Sequence, residues 1–436
     1  MPTTQAAPPV HPPGNGPRRP APERRTRGDV VAAVLIGVLL LAAVTLFGAS
    51  SDAARTTSEP AATPIPPPPA QATAVPAAFA EAWRAPSDAT DTPVVAGNAV
   101  VTGDGSTVSG HVAATGEVAW TYARDVPLCT VGSGFDALAD AARVLALYRN
   151  GEWCSELTAL RPDTGTRAAA RNPDLRSDTA LIGNGTLVAG TGVRTIEVMR
   201  YDLVRTLEYG YLEAPVNEGA QPRPTCLHTS ALLGPDQLAV VERCPGEPAD
   251  RLTLLDPDDT KDGRPVERWS VPLAAAGAGL VAVTGDRVAV VLPGPARIVV
   301  FDEAGTQVAA VPVDVSDAAL AAAAEPPAGV PATSSDVRQL TWWTGADTIL
   351  LDPESLIPLA TVEDTLGPGV TYGDATLVPV PEGLAVVGRS GAGSDPVVRT
   401  IPVARADRTA PVRLATQGAV LVEQRGDQIV ALVPAR

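Results

Sequence analysis

Residues 232–259, LLGPDQLAVVERCPGEPADRLTLLDPDD, and residues 280–305, LVAVTGDRVAVVLPGPARIVVFDEAG, carry one internal pattern. Each runs from a turn rich in Gly, Pro or Asp through a Val/Ala/Leu strand, crosses a polar turn, and ends on a second apolar strand that meets Asp beside Pro or Gly. Strand pairs bounded by such turn residues read as hairpins: Asp caps the following amides, Pro presets φ, and Gly accepts the left-handed conformation. Six further stretches repeat the pattern, beginning at Pro93, Arg143, Leu181, Asp347, Gly383 and Gly418. The turn-initiating position falls near Val112, Arg161, Asp202, Asp256, Asp302 and Asp352, at intervals of about 40 to 55 residues, which suits four strands per unit.

That spacing predicts an all-β protein, a seven- or eight-bladed β-propeller, with eight favoured. The last apolar unit is short. A ring of this kind closes by joining the chain ends in one blade, which pairs the strand after Gly418 with a first strand around Ala82-Trp83-Arg84. Residues 314–336, with Asp317-Ala318-Ala319-Leu320, read as an inserted loop carrying a short helix.

Ahead of the repeats the chain changes character. From Val30 to Ala49 it reads VVAAVLIGVLLLAAVTLFGA, with no charge and Thr45 as the only polar side chain. About 20 helical residues at 1.5 Å rise match a hydrocarbon core of about 30 Å. Five arginines in residues 1–29 precede it, so the flank is expected in the cytoplasm and the C-terminal body outside. A cleavable signal peptide is the competing reading, against which stand the length of the apolar run and of the tail before it. Residues 1–29 are expected as a disordered cytoplasmic tail, 30–49 as a transmembrane helix, 50–80 with Pro66-Pro67-Pro68-Pro69 as a stalk, and 81–436 as the propeller.

The formal net charge is −16, and the basic N-terminus leaves the body more acidic still. An acidic body repels phosphate backbones, so no nucleic-acid partner is expected. With Lys261 the only lysine, the Ala, Val, Gly, Pro, Arg and Asp bias is that of a high-GC genome.

The segments Ala159-Leu160-Arg161-Pro162-Asp163-Thr164-Gly165 and Ala113-Ala114-Thr115-Gly116-Glu117-Val118-Ala119-Trp120 resemble the Ala-Leu-Asp-x-x-Thr-Gly-x-x-x-Trp repeat of PQQ-like, quinoprotein-type propellers. Over residues 83–436 the chain resembles the membrane-anchored PQQ-like propeller proteins of mycobacteria and other actinobacteria. Arg161 and Val112 depart from the family's Asp. The resemblance implies that Trp120 docks between blades. It also brings a rival function, a PQQ/quinone- or sugar-dependent oxidoreductase using the axial cavity. Cofactor-binding relatives carry adjacent cysteines and a calcium site of Glu, Asn and Asp, and no Cys-Cys occurs here.

Four cysteines flank two strands, Cys129 and Cys154 around one, Cys226 and Cys244 around the other. In an oxidising compartment the expectation is Cys129–Cys154 and Cys226–Cys244, one of three possible connectivities. No spacing is CxxC, and His111 and His228 are the only histidines beyond the apolar run, so neither a metal site nor a Ser-His-Asp set is expected. The acidic run Asp256-Pro257-Asp258-Asp259 with Asp262-Gly263 reads as a solvated turn, since Pro257 and Lys261 break the spacing of a calcium loop. The function expected is that of a non-enzymatic scaffold, without cofactor, whose partner is an envelope protein or a wall polymer.

Overall fold

The computed structural model describes residues 26–49, 51, 53–177, 179–215, 217–261, 264–324, 330–336, 339–388 and 396–435. The chain divides into two compact units between Arg55 and Thr56. The first holds α1 (Arg27–Ala49). Its start is fixed by a reciprocal cap: the Asp29 amide donates to the Thr26 hydroxyl (3.2 Å), and the Thr26 amide to the Asp29 carboxylate (2.7 Å). That cap carries the helix three residues further N-terminal than expected. The Thr45 hydroxyl donates to the Leu41 carbonyl (2.9 Å), so the one polar side chain of the apolar run is satisfied within the helix. Among the described residues α1 alone is long and apolar enough to cross a membrane, a test a signal sequence passes equally.

The second unit is an eight-bladed β-propeller of antiparallel sheets. Blades 1 to 8 span 94–124, 128–171, 180–210, 227–272, 279–312, 333–362, 370–402 and 412–434. The first strands of successive blades lie side by side, 94–96 against both 128–134 and 412–417, and so surround the axis. Because strand direction alternates, the links between blades and the turns between second and third strands share one face, here the loop face. The remaining turns lie on the opposite, turn face.

Middle strands such as Val144-Leu145-Ala146-Leu147-Tyr148 and Val288-Ala289-Val290-Val291-Leu292 are buried at every position. A sheet covered on both faces needs no alternation of apolar and polar residues. Eight apolar clusters carry this out, one at each junction of neighbouring blades. The fourth strands are the sheet margins and alternate instead: Gln307–Pro312 is exposed at four of six positions.

The ring closes through β2 (Phe79–Pro86), which pairs antiparallel with Gln428–Pro434 as the outer strand of blade 8, from Phe79 opposite Pro434 to Pro86 opposite Gln428. Buried polar groups fasten the closure: Thr90 Oγ1 donates to Gln424 Oε1 (2.8 Å), and Gln424 Nε2 to the Ser87 carbonyl (3.1 Å).

Tryptophans tie three junctions. Trp120, on the fourth strand of blade 1, lies over Gly165 in the last turn of blade 2 and donates from Nε1 to the Pro162 carbonyl (2.7 Å). Trp83 does the same over Gly116, donating to the Ala113 carbonyl (2.8 Å), and Trp269 lies over Gly305. Gly165, Gly116 and Gly305 have φ of +68°, +74° and +75°, so each is required twice, by backbone conformation and by an indole.

The last turns of five blades fall where the spacing placed them. Asp302 and Asp352 cap theirs through Oδ1, which accepts from the Thr306 amide (2.8 Å) and the Ser355 amide (2.7 Å). Blade 4 differs. Asp256 lies inside a strand, Arg251–Lys261, that bulges and pairs on to Arg264, so the hairpin reaches beyond the expected turn. Asp262 and Gly263 are outside the described residues.

The stretch expected as a stalk lies instead on the propeller from Thr56 onward. β1 (Thr56–Glu59) adds a fifth strand to blade 1, Thr56 opposite Arg124 and Glu59 opposite Thr121. Ile65, only 2 % exposed, enters the junction of blades 1 and 2, and its amide donates to the Asp163 carbonyl (3.0 Å). The chain then crosses the turn face, where Asn98 Nδ2 donates to the Ile65 carbonyl (3.1 Å) and the Ala419 amide to the Pro69 carbonyl (3.3 Å). Ala72, Val75 and Phe79 pack into the junction of blades 7 and 8. Proline carbonyls with no strand partner, and apolar side chains between them, find both needs met on this face.

Gly165→Val is expected to cost at least 3 kcal/mol, in the range of losing a buried aromatic contact, by urea unfolding. Gly151→Ala, at φ +63° with open space around it, should cost about 1 kcal/mol. Equal losses would contradict the indole docking.

Candidate functional site on the loop face

The four cysteines are bonded as Cys129–Cys154 and Cys226–Cys244. Cys129 opens the inner strand of blade 2 and Cys154 follows its second-to-third turn, while Cys226 and Cys244 hold the corresponding margin of blade 4. Both bridges therefore stiffen loops of one face. Beneath the second, the Glu242 carboxylate, fully buried, accepts from Tyr209 OH (2.8 Å), Thr253 Oγ1 (2.5 Å) and Arg223 Nε (3.0 Å). Arg223 also pairs with Glu267, and this joins the loop before Cys226 to the body of the blade.

The two histidines are structural. His111 is stacked on Trp83 at 5.1 Å, with Nε2 at 2.9 Å from Thr102 Oγ1 and Nδ1 at 3.1 Å from the Gly116 carbonyl oxygen. His228 is stacked on Tyr209 at 5.4 Å, with Nδ1 at 3.2 Å from the Gly192 carbonyl oxygen. Burial pushes the His228 imidazole down to about 4, only partly opposed by that carbonyl. Burial lowers His111 as well. The two lie in different blade junctions and do not converge.

Two cavities open on the loop face, each of about 470 Å³. The first is axial: it is lined by blades 4, 5, 6 and 8, and blades 4 and 8 stand on opposite sides of the ring. Trp343 and Arg413 meet in it, the guanidinium carbon 4.8 Å from the ring centroid. Trp343 is held by its Nε1, which donates to the Thr365 carbonyl (3.1 Å). The second lies at blade 3, lined by Arg176, Gly192, Arg194 and Tyr211 among others. There Arg176 sits 4.3 Å over the Trp153 ring and pairs with Glu213 (2.7 Å), while Arg194 and Tyr211 are exposed.

The described lining of the axial cavity contains no carboxylate and no cysteine, so its residues do not fit the calcium and adjacent-cysteine arrangement of cofactor-binding quinoproteins. Carboxylates of Asp174, Glu197 and Glu208 approach within 4.8 Å of one another elsewhere. Arg171 and Arg205 stand 3.6 and 3.8 Å from Glu197, so the cluster is an ion network, and burial pushes the Glu197 carboxyl up.

No family model matches this sequence, and no curated protein does. Solved structures do match. BamB from Moraxella catarrhalis is 15 % identical, with a TM-score of 0.50 over 81 % of this chain and 99 % of that one. The chain is similar in fold to BamB. Dihydro-heme d1 dehydrogenase NirN in complex with DHE is 11 % identical, with a TM-score of 0.48 over 85 % of this chain and 73 % of its own. BBS1N in complex with ARL6DN is 10 % identical, with a TM-score of 0.43 over 83 % and 98 %. At these identities the likeness to BamB is one of propeller fold.

The pairing of Trp343 with Arg413 was not read from the sequence. The signal available was Trp342-Trp343 itself, adjacent indoles at a strand end beside a turn.

The unfolded His228 binds its proton near pH 6.5 and the folded one near 4, so its contribution to stability is complete above 6.5 and lost as pH falls through that window. Unfolding free energy should drop by up to roughly 3 kcal/mol between those limits, and His228→Phe should flatten the slope. A slope unchanged in the variant would exclude this origin. The double variant Cys226→Ser/Cys244→Ser should lose about 3 kcal/mol, read by urea unfolding.

Proposed function

We propose that the protein is a membrane-tethered, extracytoplasmic interaction module that receives an envelope protein or wall polymer on its loop face, and that it is not an enzyme. The observation that carries this reading is the blade 3 platform: Arg176, Arg194 and Tyr211 around one cavity, with Trp153 stacked on Arg176, flanked by blades whose loops are bridged by disulfides. Trp, Tyr and Arg are the residue types that dominate binding energy at interfaces, and rigid loops lose little entropy on docking. The exposed Arg194 on an acidic body favours an acidic partner group. Two disulfides fit an oxidising compartment, and α1 with its basic flank fits an anchor with the N-terminus inside.

Capture on the full-length protein, followed by mass spectrometry of bound proteins and sedimentation with wall polymer, should enrich a partner. Arg194→Glu with Tyr211→Ala should reduce that capture about tenfold, and equal capture would remove the platform from the reading. A C-terminal phosphatase fusion should be active, as it is only outside the cytoplasm. Addition of PQQ and Ca²⁺ should give neither tight binding nor dye reduction; either would favour the oxidoreductase.

A further inference from the structure

Among the described residues, the axial cavity joins an apolar wall to a single cation. Leu280, Val291, Leu320 and Trp342 form the wall. Arg413 enters from the inner strand of blade 8, and its Nη1 is buried without a hydrogen-bond partner. Among the described residues it makes no ion pair, and the charge of Asp91 acts on it only at a distance. A guanidinium on a half-buried side chain, with its Nη1 buried and unpartnered, carries a desolvation cost that its stacking on Trp343 offsets only in part. The geometry of the site keeps it there: Trp343 is fixed through Thr365, and a side chain at Gly367 would meet the Val412 carbonyl and Arg413.

We propose that this cavity binds a monocarboxylate with an apolar body, the carboxylate on Arg413 and the body against the apolar wall. A volume of about 470 Å³ is that of a small-ligand site. The single planar guanidinium fits a carboxylate fork to fork, whereas a phosphate dianion in an acidic protein would call for further cations. The ligand chemistry has two sources, a fatty-acid-like anion or the free carboxyl terminus of a peptide ending in an apolar residue. The site is distinct from the blade 3 platform, and its occupancy does not depend on the partner proposed there.

The test is calorimetric titration of the full-length protein in nanodiscs with octanoate, octylammonium, N-acetyl-leucyl-leucine and its C-terminal amide, with Trp fluorescence as a second readout. Octanoate or the peptide acid should bind, the cationic and amide analogues should not, and whichever acid binds identifies the source. Arg413→Met should weaken binding at least tenfold at an unchanged thermal transition, and Arg413→Lys, which keeps the charge but loses the fork, should fall between. Binding of neither acid, equal binding of acids and their uncharged or cationic analogues, or affinity unchanged in both variants would overturn the assignment.

Discussion

Every blade of this propeller is buried on both faces by its neighbours, and the rest of the molecule follows from that constraint. A sheet with no solvated face draws its stability from the two junctions beside it, so a ring leaves no blade half covered while an open row would leave two. The middle strands accordingly run largely apolar, and the fully buried carboxylates that do occur there are paired. Glu423 is an example: it is fully buried and held by Arg405 (2.8 Å), whose own guanidinium also donates to the Val380 and Gly383 carbonyls.

The two faces of the ring are built for different ends. The turn face is crossed by residues 60–78, which lie over the inner turns of blades 1, 8 and 7 and accept hydrogen bonds from Asn98 Nδ2 and the Ala419 amide. The loop face keeps its cavities open and spends its disulfides and its buried Glu242 network on holding the loops around them. Rigid loops around open cavities are what a recognition surface needs, because ordering has been completed before a partner arrives.

Much of this was legible in the sequence, for physical reasons that can be named. Turns recur at fixed spacing because Asp, Pro and Gly each have a local conformational task, so the spacing narrowed the ring to seven or eight blades with eight favoured, and the closing strand followed from the way a propeller joins its chain ends. Cys129 and Cys154 flank one strand, and pairs that flank a strand are brought together by a hairpin. Residues 50–80 were read as a stalk because a Pro-rich stretch shows no strand period; its affinity for the turn face depends on carbonyls and on Ile65 and Phe79, which periodicity does not register. Asp256-Pro257 resembles a turn locally, yet the hairpin around it pairs further. Trp343 and Arg413 belong to blades 6 and 8 and meet only across the axis, a tertiary coincidence without a local signature.

Ring closure by β2 also sets an order of events during biosynthesis. This strand emerges before any blade, behind α1 and β1, while its partner Gln428–Pro434 follows only after seven blades have been made. Throughout translation the nascent protein therefore carries an unsatisfied strand at one end and an uncovered blade at the other. A ribosome that stalls before Gln428 releases a product that no local repair can complete, and its exposed edge is the feature by which proteases or chaperones can tell it from the finished ring.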